Sequence, residues 1–112
     1  ATKPEVERQL AALMARLDGN EANVRSAIPS RKVLRCRVTD LDATWFSVVD
    51  NGHVSAPTET SPDGPADITL TVGSDDLVDL VSGRVSFLSA FTSGKVRVDA
   101  SIVDLLRLRS LL

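Results

Sequence analysis

The stretch RKVLRCRVTDLDATWFSVVDNGHVSAP, residues 31–57, repeats its apolar side chains with a period of two. From Arg31 to Thr39, Leu34, Cys36 and Val38 alternate with Arg35 and Arg37, which is the pattern of a strand with one buried face. Asp42 to Asp50 carries Trp45, Phe46, Val48 and Val49, apolar on both faces, so alternation alone leaves open which side turns inward. Asn51-Gly52 follows, the strongest short hairpin signal in the chain, because a type I′ turn needs positive φ at both central residues. His53 to Pro57 reads as the returning strand.

On the N-terminal side the period is that of a helix. Pro4 to Asp18 spaces Val6, Leu10, Leu13, Met14 and Leu17 along one stripe, with Pro4 suited to a first turn and Gly19 to a stop. Glu21 to Ile28 forms a second helical stretch that must end before Pro29. On the C-terminal side, Thr58 to Ala66 is a loop rich in Pro and Gly, and Asp67 to Val72 is a strand with Ile68, Leu70 and Val72 on one face. Ser74 reads as an N-cap followed by Asp75 and Asp76 in a first turn, where negative charge complements the helix dipole. That helix ends at Gly83, Val85 to Thr92 forms a short one closed by Gly94, Lys95 to Asp99 is the last strand, and Ser101 caps a helix to Leu112. The order implies a single domain over residues 1–112 of the α/β class, α+β in type. A five-stranded, mainly antiparallel sheet is expected, covered on one side by about five helices.

Composition narrows the function. The chain has 112 residues, 43% hydrophobic and 25% charged, and a net charge of −2, which fits an ordinary globular domain. Charge interrupts every apolar run short of the ~18 residues a membrane span needs. Ala1 to Leu10 holds Glu5, Glu7 and Arg8, unlike a secretory signal. A pI near 5.3 points away from nucleic acid, and a cytoplasmic location is the default expectation. One cysteine excludes an internal disulfide or a thiolate-rich zinc site. No metal or other cofactor is implied.

The catalytic inventory is thin. His53 follows a tight turn and reads as an exposed hairpin residue, and Cys36 as a small buried hydrophobe. Asp75, Asp76 and Asp79 form no calcium loop, and no nucleophile elbow, phosphate loop or zinc-binding helix motif occurs. The chain reads as no enzyme. Arg31, Lys32, Arg35, Arg37, Lys95 and Arg97 would form a basic patch for an anionic headgroup only if their strands faced one way, the plain alternative being a solvated sheet face. The segment from Ile102 to Leu112 is apolar over more than a single core-facing stripe, with Ile102, Val103, Leu105, Leu106, Leu108, Leu111 and Leu112. Three placements suit it: wedged between layers, covering an apolar cavity, or meeting another subunit. Val85, Phe87, Leu88 and Phe91 make the preceding short helix broad as well.

Several of these segments together resemble sterol carrier protein 2 domains. The likeness lies in Asp67-Ile-Thr-Leu-Thr-Val, Leu77-Val-Asp-Leu80 with Gly83, Ala90-Phe91, and Ser93-Gly94-Lys95-Val96, and in the finish from Leu105 to Leu112. Trp45 ahead of Asp50-Asn51-Gly52 matches that family's aromatic strand and glycine turn. The chain departs from the pattern at Ala100, where the family usually has Gly, and at Val85-Ser86 before the short helix, and it carries no peroxisomal Ser-Lys-Leu ending. The resemblance implies an apolar tunnel that holds a sterol, fatty acid or acyl-CoA, with Trp45, Phe87, Leu88, Phe91, Leu105, Leu106 and Leu108 as lining residues. It implies intracellular lipid binding and transfer, with transient contact at an anionic membrane surface. The rival expectation is an accessory module that dimerises or docks on a partner enzyme through the apolar C-terminal helix.

Overall fold

A computed structural model of the chain describes residues 1–109. Helices α1 (Lys3–Asp18) and α2 (Glu21–Ala27) lead into β1 (Lys32–Val38), a 3-10 turn (Thr39–Leu41), β2 (Ala43–Asp50), β3 (His53–Val54) and β4 (Ile68–Val72). Helices α3 (Ser74–Val81) and α4 (Phe87–Thr92), strand β5 (Val96–Asp99) and helix α5 (Ile102–Arg109) complete the chain. The helix expected to run to Leu112 is followed to Arg109; Leu111 and Leu112 lie outside the described residues, as does the side chain of Leu108.

The strands form one mixed sheet in the order β3-β2-β1-β4-β5. Its central pair, β1 with β4, is parallel, and the pairs β1–β2, β2–β3 and β4–β5 are antiparallel. Cys36 stands opposite Trp45 on one side and Leu70 on the other, so all three side chains share a face. This answers which side of β2 turns inward: Ala43, Trp45, Ser47 and Val49 are buried, while Phe46 and Val48 are half-buried on the opposite face. Burying the large indole outweighs burying Phe46 because the helix layer lies over Trp45's face.

Two apolar clusters fasten that layer. Val6 and Leu10 of α1, Leu77 of α3 and Ala90 of α4 pack with Val38, Trp45, Val72 and Val96. Val24, Ala27 and Ile28 pack with Val49 and Val54, supported by Met14, Leu17 and Leu34. A capping box starts α1, with the Glu5 N–H donating to Thr2 Oγ1 and the Thr2 N–H to Glu5 Oε1, each at 3.3 Å.

Three local expectations change. Strand β3 ends at Val54, well before Pro57. The Val48 N–H turns to the Ser55 hydroxyl at 2.8 Å, and Pro57 has no N–H to continue the ladder. Ser74 opens α3 as its first residue, with Gly73 at the cap position. The missing cap comes from the 3-10 turn: Asp40 accepts from the Ser74 N–H at 2.7 Å and from the Ser74 hydroxyl at 2.6 Å. The short helix begins at Phe87, with Ser86 as its cap accepting from the Ser89 N–H at 3.1 Å.

Asn51 and Gly52 both have positive φ, 51° and 84°, as the hairpin turn requires. A Cβ on Gly52 would stand 2.6 Å from the Glu21 carbonyl oxygen at the start of α2. Gly52→Ala is therefore expected to cost roughly 3 kcal/mol in chemical denaturation, from strain and overlap together; a loss below about 1 kcal/mol would contradict this packing.

The Ser74 hydrogen bonds hold the Asp40 carboxyl below its ordinary value. A carboxylate lowered on folding stabilises above its unfolded pKa, and that contribution is lost as pH falls through the lowered folded value. Asp40→Asn is expected to remove this acid-sensitive part of stability, followed by thermal unfolding from neutral pH to about pH 3. An unchanged pH dependence would show that the cap contributes nothing.

Candidate functional site

Between the helices and the sheet lies a cavity of about 770 Å³. Its floor is the inward face of the sheet: Leu34 and Cys36 of β1, Trp45 and Ser47 of β2, Ile68 and Leu70 of β4, and Val98 of β5. Its roof is Leu10, Leu13, Met14 and Leu17 of α1 with Leu77, Leu80 and Val81 of α3. Val85, Ser86 and Phe87 close the end beside α4. The spacing of α1 explains the roof. Val6 and Leu10 are buried against the sheet, whereas Leu13, Met14 and Leu17, one and two turns on, remain half-buried over open space.

Few polar groups interrupt this wall. Arg16 stands where the wall meets solvent and donates through Nη2 to the Val81 carbonyl at 3.3 Å, which ties α1 to the end of α3. No carboxylate pairs with Arg16 among the described residues. Asn20, Ser47 and Ser86 are the uncharged polar members of the wall. Burial pushes the Cys36 thiol up to about 12, so at neutral pH it is an uncharged, unreactive part of the floor. A volume within the ~300–1,000 Å³ range of small-molecule sites, an apolar wall and a cation at the rim suit an amphiphile better than a polar substrate.

The residues expected to line an apolar space separate into two groups. Trp45 and Phe87 stand on the cavity wall. Leu88 and Phe91 do not: Leu88 is 71% exposed, and the ring of Phe91 stacks on that of Phe87 from outside, with centroids 6.3 Å apart. On a helix as short as α4, Ala90 takes the inward position, so its neighbours turn to solvent. Leu105 and Leu106 of α5 are likewise exposed and absent from the wall. Helix α5 turns inward instead through Asp104, whose carboxylate is 3.4 Å from Lys32 Nζ. The helical period of α5 was legible in the sequence; the choice of Asp104 as its inward residue depends on Lys32, far away in the chain.

The basic residues also divide. The register turns the side chains of Arg35, Arg37 and Arg97 to the face opposite Cys36, with Arg35 Nε donating to Thr69 Oγ1 at 3.1 Å, while Lys32 shares the Cys36 face; Arg35 nonetheless contributes to the cavity lining. His53 is exposed, its imidazole 3.6 Å from carboxylate oxygens of Asp18 and of Glu21, and it is no part of the cavity wall. The residues that sequence reading missed are the roof of α1 and α3, above all Leu13, Met14 and Leu80. Their signal was present as the width of the apolar stripe on the first helix.

Comparison with known proteins agrees with this architecture. Among curated proteins, sterol carrier protein 2 of Rattus norvegicus is 34% identical over 70 residues, a match covering 62% of this chain and 12% of that protein. The chain thus matches only about an eighth of its curated relatives' length. The solved structure of apo sterol carrier protein 2 from Yarrowia lipolytica superposes with a TM-score of 0.59 at 20% identity, covering 91% of this chain and 89% of that one. A double-mutant sec-alkyl sulfatase superposes with a TM-score of 0.69 at 21% identity, covering 100% of this chain but 16% of that one. At such identities these structures speak for the fold. The family model described as the SCP-2 sterol transfer family matches residues 5–112, which takes in the cavity's floor and roof alike. By that match the chain belongs to the SCP-2 sterol transfer family.

Proposed function

We propose that this domain is a non-catalytic lipid carrier that holds the body of a sterol, fatty acid or acyl-CoA in the cavity between α1, α3 and the sheet. The observation that carries this reading is the roof of half-buried Leu13, Met14, Leu17 and Leu80 over an apolar floor. A ligand that covers these side chains takes their surface and its own out of water. Each buried CH₂ contributes about 0.8 kcal/mol, enough for a long chain to outweigh the cost of association. The ligand's charged or polar end stays at the rim, where Arg16 offers donors that no carboxylate among the described residues occupies. With no activated nucleophile or base in the wall, the cavity binds without transforming. No helix among the described residues is long and apolar enough to cross a membrane, and we place the carrier in the cytoplasm. There it contacts anionic bilayers transiently through exposed Leu88 and Phe91, flanked by Arg84 and Lys95.

Exposed Ile102 and Leu106 on α5 support a second reading, an accessory module that pairs with another copy or with an enzyme. The two readings part in one titration. Displacement of a fluorescent fatty acid by stearate is expected to give saturable binding. Leu13→Glu, which sets a charge in the roof, should weaken it at least tenfold, and His53→Ala should leave it unchanged. Arg16→Ala should weaken stearate about tenfold and its methyl ester little. Absence of saturable binding, together with a concentration-dependent dimer that Leu106→Arg dissolves, would favour the accessory module.

A further inference from the structure

The described buried residues that are polar or charged are Ser47, Thr69, Ser74 and Asp104. Three of them are partnered. The Thr69 hydroxyl accepts from Arg35 at 3.1 Å, Ser74 donates to Asp40 at 2.6 Å, and Asp104 faces Lys32 at 3.4 Å. Ser47 is the exception: it is 5% exposed and lies on the cavity floor, and its hydroxyl has no hydrogen-bond partner among the described residues. Two residues away on the same face of β2, the buried indole N–H of Trp45 also lacks an acceptor. The indole N–H is fully enclosed, where an orphaned polar group costs about 1–3 kcal/mol, whereas the Ser47 hydroxyl opens on the cavity, within reach of whatever fills it. The indole can only donate, and the Ser47 hydroxyl can donate or accept. A ligand oxygen is the partner that suits the hydroxyl.

We infer that the cavity's ligand is an oxygenated lipid, one whose hydrogen-bonding oxygen enters the chamber and meets the Ser47 hydroxyl on the floor of β2. The inference rests on the carrier reading above and adds a ligand class to it. A plain alkyl chain laid across β2 covers the Ser47 hydroxyl without pairing it. A hydroxyl or keto oxygen at that point along the chain accepts the Ser47 proton, and a hydroxyl can also donate to the Ser47 oxygen. Ser47 therefore acts as a specificity residue: it selects where along its length the ligand carries oxygen.

The test compares stearate with hydroxystearates bearing the hydroxyl at different chain positions, by displacement of the same fluorescent fatty acid. The wild-type protein is expected to bind at least one positional isomer about fivefold more tightly than stearate, the worth of one net hydrogen bond. Ser47→Ala should abolish that preference, so that stearate and every hydroxystearate bind alike, and Ser47→Thr, which keeps the hydroxyl, should restore it. Stearate binding without preference for any isomer, or a preference that survives in Ser47→Ala, would overturn the inference and leave the carrier reading standing. Failure of every probe, stearate included, would overturn both.

Discussion

The pairing of Cys36 with Trp45 on one side and with Leu70 on the other sets the inward face of the whole sheet. A strand alternates its side chains strictly, so this single register decides that Trp45, Ser47, Ile68, Leu70 and Val98 look toward the helices. It sends Arg35, Arg37 and Arg97 the other way. A slip of one residue in β1 would carry Arg35 and Arg37 into the apolar floor and Cys36 into solvent, at the cost of burying unpaired charges. The parallel pairing of β1 with β4 makes the register hard to lose, because β1 is held from both sides.

Given that floor, the cavity follows from where the helices are fastened. One apolar cluster holds the first half of α1, with α3 and α4, to Val38, Trp45 and Val72; the other holds α2 to Val49 and Val54. Between the fastenings the second half of α1 spans the sheet, and Leu13, Met14 and Leu17 reach over space they do not fill. The polar contacts reinforce the ends of this arrangement. Asp40 caps α3, Asn51-Gly52 packs its turn against the start of α2, and Lys32 holds α5 through Asp104. The helix layer is thus stiff at its margins and apolar but loosely filled at its centre, as a container for an apolar body requires.

Much of the architecture was legible in the sequence because it rests on local signals. The switch from a helical period to alternation at Arg31, the Asn51-Gly52 turn, and the Gly residues closing α3 and α4 mark nearly every element. What stayed hidden depends on partners distant in the chain. Capping of α3 by Asp40 instead of Ser74 brings together residues 34 positions apart, and no local pattern reports it. The site was legible only in part for the same reason. Trp45 and Phe87 declared themselves by size, but on a helix as short as α4 two adjacent aromatic or aliphatic positions look equally suited to the interior, and only the packing of Ala90 turns Leu88 outward. The resemblance led toward the leucine-rich C-terminal end, whereas the described cavity wall draws on α1 and α3, whose residues read as ordinary core.

The central claim is that the cavity holds a lipid. Native mass spectrometry of the gently purified protein, followed by delipidation and incubation with fatty acid, sterol and acyl-CoA, tests it most directly. The account predicts a complex of one lipid per chain, either co-purified or formed on incubation, that Leu13→Glu depletes. A protein that keeps its apo mass against an excess of all three lipid classes would contradict it.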